Sequence, residues 1–426
     1  MAELDKGWHD RRRDNRRRIG GRAGILAREK GPAAQDNRSC RLEGLRMKLS
    51  RRGLIRGSLL CGAAAVGSTP LLAQQAVAEP TPTERARMAQ LAADFMDSYD
   101  VPGLSVAISI SGQDVYTQAF GYADKDSGEA LTPGHRFRIA SITKPMTSVG
   151  IFLLIEAGRL ALGSRVFGPD SILGQDYPTP ADRGAIEQIT LAHLLTHTAG
   201  GWKNDSNDPM FLNPQMDHRA LIAWTLQNQP LINEPGKQYA YSNFGYCLLG
   251  RVIEKISGVP YANYIRDTIA DRCAISDMQI AGNTLADRAA NEVKYFGQGG
   301  ADPYAMNVAR MDSHGGWIAS PSDLIKFAAQ IDGLNGSAPL LKRETLNIMT
   351  TPSAANPKYA KGLMVNSENN YWHTGSLPGT ETILVRTHSN FCWSGLTNTR
   401  ANFPGMSINL DWLLWHMVSK VSGWHA

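Results

Sequence analysis

A serine and a lysine lie three residues apart in the segment RIASITKPMTS (138–148), at the start of a long apolar run. If a helix begins at Ser141, both side chains fall on one face, one turn apart. A serine hydroxyl is a weak nucleophile until a base removes its proton. Lys144 could be that base if burial lowers its pKa from the ordinary value of about 10.4. The spacing therefore indicates nucleophilic chemistry, although a helix cap beside a surface lysine produces the same pattern.

Two further motifs contain residues that could assist such a serine. Tyr241-Ser242-Asn243 stands just before a predicted helix. A tyrosine hydroxyl can relay a proton, and an asparagine amide can hold a carbonyl group. His373-Thr374-Gly375 lies on a predicted strand, where glycine would let a ligand approach the backbone closely. Taken singly, the Tyr-Ser-Asn motif is also typical of a core aromatic residue beside a helix cap. The His-Thr-Gly motif is also typical of a strand that ends in a turn.

Together the three motifs resemble those of a known enzyme superfamily. Ser-x-x-Lys, Tyr-Ser-Asn and His-Thr-Gly follow one another at separations of about 100 and 130 residues, as in the serine β-lactamases and penicillin-binding proteins. The likeness is strongest to the branch of class C β-lactamases, DD-carboxypeptidases and esterases. It runs from about residue 84 to the C-terminal helix. It also includes the segments FRIASITKP (137–145), HLLTHTAGG (193–201), EPGKQYAYSNFGYCLLG (234–250) and GSLPGT (375–380).

This resemblance implies a role for each motif residue. Ser141 would be the acylated nucleophile, Lys144 its base or the partner of its base, and Tyr241 the group that passes the proton to the leaving group. Asn243 would hold the amide side chain of the substrate. The backbone N–H groups of Ser141 and Ser376 would form an oxyanion hole, whose donors are typically worth a few kcal/mol. The binding segment would comprise His373, Thr374, Gly375 and Ser376.

The implied reaction is hydrolysis of an ester or amide through an acyl-serine intermediate. The expected partner is a small acyl substrate: an ester, a peptide or a β-lactam. The resemblance implies no metal, no organic cofactor and no protein partner. A true β-lactamase or DD-carboxypeptidase stays open as the alternative. A catalytically silent binding protein with this fold is the alternative of another class, and the three intact motifs argue against it.

His373 departs from the family pattern, because typical class C β-lactamases have Lys-Thr-Gly at this place. A lysine there keeps a fixed positive charge, whereas an ordinary histidine has a pKa near 6.5 and is only partly charged near neutrality. We therefore expect weaker β-lactamase activity, and a charge at His373 that changes within the working pH range. For anionic substrates, kcat/KM should then lose a component as the pH rises.

Two other classes of hydrolase are excluded by their motifs. His193 and His197 are spaced like zinc ligands on a helix, but a zinc protease of this type needs glutamate at position 194, which is Leu194. The sequence also contains no Gly-x-Ser-x-Gly, the motif that places the nucleophile in α/β-hydrolases. No metal site is expected.

The net charge of +5 reflects the N-terminus alone. Residues 1–56 contain 17 basic and 7 acidic side chains, and the other 370 residues contain 27 basic and 32 acidic ones. The cluster RRRDNRRR (11–18) could bind phosphate, but a flexible arm or an upstream start codon explains it better. We interpret residues 1–46 as such an arm, or as upstream sequence translated from a start codon assigned too early, and we expect no nucleic-acid binding.

Residues 47–78 have the features of a twin-arginine export signal. Arg51 and Arg52 precede an uncharged stretch that ends in Ala76-Val77-Ala78, a cleavage-site pattern. The stretch is interrupted by Gly, Ser and Pro, so we expect no stable membrane span. The mature domain, 79–426, is expected to be periplasmic or secreted. It contains three cysteines, Cys247, Cys273 and Cys392; an odd number leaves at least one free, and buried, unreactive thiols are the favoured interpretation.

The hydrophobic pattern places strands near both chain ends and helices between them. Segments 104–110, 115–123, 369–375, 382–388 and 391–398 are predicted strands, and 81–100 and 406–420 are predicted terminal helices. The middle contains predicted helices at 151–160, 189–197, 245–258 and 320–331. The predicted fold class is α+β: an antiparallel sheet of about five strands flanked by the terminal helices, with an inserted, mostly helical subdomain. The ligand site would lie in the cleft between the two parts.

Overall fold

The computed structural model describes residues 79–424, except 175, 178–179 and 181–183. The predicted basic arm (1–46) and the predicted export signal (47–78) lie outside the described residues. The described residues belong to one compact unit.

A seven-stranded antiparallel sheet is built from both ends of the chain, in the order β3-β2-β1-β10-β9-β8-β7. Its strands are β1 (Gly103–Ile110), β2 (Gln113–Asp124), β3 (Glu129–Ala130), β7 (Met364–Val365), β8 (Tyr371–Leu377), β9 (Thr380–Arg386) and β10 (Phe391–Thr397). The predicted antiparallel sheet is therefore confirmed, since its five long strands are the five predicted ones. The two-residue strands β3 and β7 extend it at its edges. A second small sheet pairs β4 (Phe137–Arg138), β6 (Trp317–Ala319) and β5 (Gln279–Ile280).

Nine α-helices occur in the described part of the chain. They are α1 (Pro82–Tyr99), α2 (Thr143–Glu156), α3 (Leu191–Leu195), α4 (His218–Asn228), α5 (Asn243–Ser257), α6 (Tyr261–Ile265), α7 (Pro321–Ile331), α8 (Arg343–Thr350) and α9 (Met406–Ser419). Sequence signals fix several starts. At α1, Thr81 and Glu84 form a reciprocal capping box, and Ser320 and Asp323 do the same at α7.

The two faces of the sheet bury different cores because side chains alternate along a strand. Val106, Ile108 and Trp393 belong to the core under the terminal helices α1 and α9. Ala107 and Cys392, one residue away, belong to the larger core shared with the inserted helices. The sheet thus separates the predicted helical subdomain from the terminal helices.

Helix α2 is the buried centre of the inserted subdomain. Eleven of its residues are buried, from Thr143 to Leu154, as predicted for a helix that is apolar nearly all round. It begins earlier than the predicted 151, at Thr143. Pro145 is accommodated because a proline in the first turn costs no intrahelical hydrogen bond. Lys144 is therefore carried by the first turn of a buried helix.

The three cysteines among the described residues, Cys247, Cys273 and Cys392, are unpaired and buried, as expected. Among the described residues, no helix combines the length and apolar character needed to span a bilayer.

Candidate active site

Ser141 lies in a short 3-10 turn, Ala140–Ile142, that leads directly into α2. The preceding Ala140 has φ = +48°, a left-handed conformation that costs an alanine about 1–2 kcal/mol. Strand β8 packs closely against this turn. A Cβ atom on Gly375 would lie 2.2 Å from the carbonyl oxygen of Ile139 and 2.3 Å from Thr382 Oγ1. Gly375 is therefore required for the close approach of its own strand to the nucleophile turn.

Lys144 Nζ has three polar partners: Ser141 Oγ at 3.0 Å, Asn243 Oδ1 at 2.8 Å and the carbonyl oxygen of His314 at 2.9 Å. The last two partners are acceptors only. A neutral amine has two N–H groups and one lone pair. With both N–H groups donated to Asn243 and His314, the lone pair of the neutral amine faces the Ser141 hydroxyl. This is the geometry that a general base requires.

The surroundings of Lys144 favour that neutral form. Its side chain is fully buried, and this burial lowers its pKa well below the ordinary value, while the charge of Asp208 acts in the opposite direction. The amine also lies 4.8 Å from the ring centre of Tyr241 and 5.7 Å from that of Tyr246. The predicted burial of the lysine is confirmed.

Tyr241 is positioned to exchange protons with the nucleophile. The Ser141 hydroxyl is near enough to lower the pKa of the Tyr241 phenol, but burial has the larger effect and raises that pKa above the ordinary value. A phenol with a raised pKa keeps its proton near neutrality, so Tyr241 can donate a hydrogen bond or pass on a proton but does not rest as a phenolate.

Asn243 is the first residue of α5, where the N-cap Ser242 accepts a hydrogen bond from the N–H of Gly245. Its Oδ1 faces Lys144, and its Nδ2 donates to Asp208 Oδ2 at 2.7 Å. One Nδ2 hydrogen remains for a substrate. No sequence pattern points to Asp208, because an acid within a polar loop carries no periodic signal.

Strand pairing leaves the N–H of Ser376 available to a ligand. Leu377 pairs with Thr380 across a two-residue connection, so they must form a hydrogen-bonded pair. Pairs alternate along an antiparallel ladder. Ser376 and Glu381 are consequently a non-hydrogen-bonded pair, and the N–H of Ser376 points away from β9. The Ser376 side chain donates to Glu381 Oε2 at 2.8 Å, so only the backbone suits the oxyanion role.

Thr374 does not direct its side chain toward Lys144. It pairs with Ile383, whose side chain belongs to the core under the terminal helices, and directly paired residues share a face. The Thr374 side chain thus lies on the opposite face of the sheet from His373. A substrate contact at this residue would be made by its backbone.

His373 is 1% exposed and is the end of a hydrogen-bond chain with one allowed direction. The N–H of Ser242 donates to His197 Nδ1 at 3.1 Å, so neutral His197 carries its proton on Nε2 and donates to Tyr359 Oη at 3.0 Å. Tyr359 then donates to His373 Nε2 at 3.2 Å. His373 Nδ1 faces the Thr374 carbonyl oxygen at 2.6 Å, which can only accept, so this nitrogen carries the ring proton.

The expected titration of His373 near neutrality is therefore wrong. Burial lowers the pKa of His373 to about 3, and the nearby charge of Lys144 acts in the same direction. Burial likewise holds the pKa of His197 well below its ordinary value. Both histidines of this hydrogen-bond chain are therefore neutral near pH 7. The sequence could not reveal this, because no motif links His373 to Tyr359, 14 residues earlier, or to His197.

The rejected zinc pair has other functions. His193 completes the capping box of α3 with Thr190, and His197 belongs to the chain above. Among the described residues, no group of three or more His, Cys, Asp or Glu side chains is arranged to hold a metal ion.

Comparison with known protein families shows which family this chain belongs to. A family model described as Beta-lactamase matches residues 88–411, which is more than half of the chain. The chain belongs to the β-lactamase family. Its three motifs therefore stand in a domain of the superfamily that they were found to resemble.

The curated relatives have low sequence identity to this chain and match only part of it. The human mitochondrial serine beta-lactamase-like protein LACTB is 24% identical over 332 residues, covering 60% of this chain and 60% of that protein. Penicillin-binding protein 4* of Bacillus subtilis (strain 168) is 31% identical over 241 residues, covering 54% and 48%. The chain thus spans about half to three fifths of the length of these relatives.

Solved structures confirm the fold. D-amino acid amidase from Ochrobactrum anthropi SV3, complexed with L-phenylalanine amide, superposes with a TM-score of 0.66 at 20% identity, covering 81% of this chain and 100% of that one. The octameric penicillin-binding protein homologue from Pyrococcus abyssi gives 0.64 at 22% identity and 79% coverage of both chains. EstCE1, a hydrolase with promiscuous acyltransferase activity, gives 0.63 at 20% identity, covering 79% and 98%.

Proposed function

We propose that this protein hydrolyses small, uncharged esters, and more slowly amides, through an acyl-enzyme on Ser141. The observation that carries the proposal is the set of contacts around Lys144 Nζ. Two acceptor-only partners use both N–H groups of the neutral amine, and the remaining lone pair faces Ser141 Oγ at 3.0 Å. A buried lysine with only carbonyl partners would not provide a base.

The chemical steps follow from this geometry. The lone pair of Lys144 takes the hydroxyl proton while Ser141 Oγ bonds to the substrate carbonyl carbon. The N–H groups of Ser141 and Ser376 stabilise the resulting oxyanion. The proton passes through Tyr241 to the leaving alcohol or amine as its bond to carbon breaks. Water then attacks the acyl-serine and gives a proton to the same base. The bond between Ser141 Oγ and the acyl carbon breaks, Ser141 Oγ takes that proton, and the acid is released.

The neutral state of His373 supports the choice of uncharged substrates. A lysine in its place would hold a cation beside Tyr241, whereas this histidine is locked in a neutral hydrogen-bond chain. A substrate carboxylate therefore gains no opposite charge from this strand. Esters are preferred to amides because resonance stabilises an ester carbonyl less than an amide carbonyl, so the serine attacks it more readily. Amidase, DD-carboxypeptidase or β-lactamase activity is the second candidate, supported by the amidase and penicillin-binding protein relatives.

We also propose that the protein acts outside the cytoplasm. Arg51, Arg52 and the Ala76-Val77-Ala78 pattern support twin-arginine export with cleavage before Glu79. N-terminal sequencing of protein recovered from the periplasm or medium tests this, with the Arg51→Lys/Arg52→Lys double variant as control. Exported protein that keeps Met1 or Met47 as its terminus would contradict it.

A substrate panel with a covalent trap tests the enzymatic proposal. Purified protein is assayed with p-nitrophenyl acetate and butyrate, an amino-acid p-nitroanilide, a chromogenic cephalosporin and a D-Ala-D-Ala peptide. A slowly released activated ester is then used to find the acylated peptide by mass spectrometry. We expect turnover to be highest with the esters and one label on the peptide containing Ser141. Ser141→Ala should abolish both, whereas Ser367→Ala, which removes an exposed serine, should change neither. A label on another serine would refute the mechanism.

A further inference from the structure

Asp208 is a buried acid next to the catalytic cluster. It is 0% exposed. Its Oδ1 accepts a hydrogen bond from the N–H of Met210 at 2.9 Å, and its Oδ2 accepts from Asn243 Nδ2 at 2.7 Å. The first contact caps a short 3-10 turn, Pro209–Phe211, which is an ordinary structural role for aspartate. The second contact is different, because it leads directly to Lys144.

The Asn243 amide lies between an acid and a base and has one favourable orientation. Its Oδ1 accepts from Lys144 Nζ at 2.8 Å while its Nδ2 donates to Asp208. If the amide were turned over, its oxygen would face the carboxylate and its NH₂ group would face the N–H donors of the lysine. Both contacts would be repulsive. Asp208 therefore fixes Asn243, and Asn243 in turn fixes the amine of Lys144.

Proton transfer from Ser141 places a positive charge on the buried Lys144, and this charge needs a negative partner. When Lys144 accepts the proton, an ammonium ion forms in a fully buried position, where an unpaired charge is costly. Besides Asp208, the ionisable or aromatic side chains that interact with Lys144 are His197, His314, His373, Tyr241 and Tyr246. The histidines resist protonation in this setting and the tyrosines keep their protons, so none of these groups supplies a negative charge.

We propose that Asp208 is a positioning residue for the Lys144 base, which it orients through Asn243, and the counter-charge for the lysine after that base has taken the serine proton. This inference rests on the proposed role of Lys144 in the acyl-enzyme reaction. Lys144, Asn243 and Asp208 then form a relay in which the amide transmits orientation and the carboxylate compensates charge.

The electrostatics of the pair agree with this role. Burial raises the pKa of Asp208 to about 6, although its hydrogen bonds and the charge of Lys144 lower it. Asp205, an exposed acid three residues away, raises it slightly further. Above that pKa the carboxylate is ionised and favours the protonated lysine. The two groups are close enough that their titrations belong to the pair and not to either residue alone.

The direct test compares Asp208→Asn with the matched control Asp205→Asn, which removes a neighbouring carboxylate that does not contact Asn243. The measurement is kcat and KM for p-nitrophenyl acetate from pH 5 to 9.5, with melting curves for each protein. For Asp208→Asn we expect kcat to fall about 10- to 100-fold with KM nearly unchanged. We also expect the acid limb of the pH profile to move about one unit lower, because the lysine loses an opposite charge. Asp205→Asn should resemble the parent.

Two results would overturn the inference. One is a folded Asp208→Asn protein with the parental pH profile. The other is a loss of activity without any movement of the acid limb, which would mark Asp208 as a capping residue only. Ser141→Ala, assayed in parallel, keeps the two proposals separate: if it retains activity, the acyl-enzyme proposal fails whatever Asp208 does.

A second measurement needs no activity and covers the case in which Asp208→Asn does not fold. The infrared C=O band of a protonated, buried carboxyl group is titrated in the parent, Lys144→Met and Lys144→Arg. Without a cation at position 144, Asp208 should titrate at higher pH, and with a permanent cation at lower pH. Equal midpoints in the Met and Arg variants would show that charge at position 144 does not reach Asp208, and would overturn the inference.

Discussion

The candidate active site has a helical wall, which carries Lys144 on α2, and a strand wall, which carries His373 on β8. Each wall buries a basic side chain, and the two walls differ in what surrounds it. Lys144, on the helical wall, has two acceptors and a hydroxyl around one amine, with a carboxylate behind one acceptor. His373, on the strand wall, has one donor and one acceptor, and these match a neutral imidazole. The first arrangement can receive a proton, and the second has no place for one. Burial alone therefore does not tell a catalytic base from a structural one, whereas the number and type of partners does.

Replacing Lys144 gives the largest expected effect. In Lys144→Met the lone pair that faces Ser141 is lost, and kcat/KM for p-nitrophenyl acetate should fall about 10³-fold or more. The matched control is Lys361→Met, since Lys361 is also buried but donates to the carbonyl oxygens of Ile348 and Thr351. We expect the control to lose stability while keeping its turnover per folded molecule. Equal losses of turnover would remove the distinction between the two kinds of buried lysine.

The contact between the two walls is tested at Gly375. In Gly375→Ala the new methyl group meets the Ile139 carbonyl and Thr382 Oγ1, so β8 must move away from the nucleophile turn. Overpacking of this kind typically costs about 1–3 kcal/mol, and activity should fall at least tenfold because the N–H of Ser376 moves with the strand. Gly163→Ala, where a Cβ meets nothing within 4 Å, is the control. Melting curves and kcat/KM measure both, and a fully active Gly375→Ala would exclude the close packing.

The hydrogen-bond chain on the strand wall is tested at Tyr359. Tyr359→Phe removes the donor to His373 Nε2, and an unsatisfied buried acceptor costs about 1–3 kcal/mol. We expect about a tenfold fall in kcat/KM and a new ionisation on the acid side, since His373 can then take a second proton. Tyr371→Phe is the control, because the buried Tyr371 hydroxyl has no hydrogen-bond partner among the described residues. A parental pH profile in Tyr359→Phe would show that the chain does not set the state of His373.

Stability against pH should report the neutral histidine directly. The folded-state pKa of His373 is depressed to about 3, below the unfolded value of about 6.5. The contribution of the neutral His373 side chain to the free energy of unfolding is therefore complete above pH 6.5, and it is lost as the pH falls toward 3. In that window it adds about 1.4 kcal/mol per pH unit to the slope of the unfolding free energy. His373→Gln should have a shallower slope by about one proton in urea titrations at pH 4 to 6.5. Identical slopes would mean that His373 is already charged in the folded protein.

The smallest expected effect is a ratio that stays constant. If His373 is neutral throughout, kcat/KM for an anionic ester and for a neutral ester of the same leaving group should keep the same ratio, within about twofold, from pH 6 to 9. Lys144 titrates equally for both substrates and cancels in the ratio. His373→Lys should raise the ratio in favour of the anionic ester. If the ratio of anionic to neutral ester turnover fell steadily with pH in the parent, His373 would have to be charged at the lower pH values, contrary to this prediction.

The sequence predicted the frame of the site better than its electrostatics. Alternation and helical spacing located all five long strands and the terminal helices within a few residues, because each buries one face. The motif spacing led to Ser141, Lys144 and Tyr241, which the fold brings into contact. It did not reveal Asp208, Tyr359 or the partners of His197. These contacts join residues from separate loops, helices and strands, and no local pattern shows which buried polar groups will meet. The expected charge on His373 failed for the same reason.

The pairing of β1 with β10 also constrains how the molecule is made. Ile110 pairs with Phe391, so nearly the whole domain is synthesised between the two central strands of the sheet. At ordinary rates of translation, roughly 15 to 55 s separate their appearance. During that time the exposed edge of β1 is a template for pairing with other chains. The last part of the chain also brings the two ends of the domain together, where the N–H of Ser422 donates to Glu84 Oε1 at 3.1 Å. The sheet of this protein therefore cannot be completed until the C-terminal strands have been synthesised. A chain truncated anywhere in the inserted helices would lack β8, β9 and β10, so it would have an unpaired edge on β1 and no complete active site.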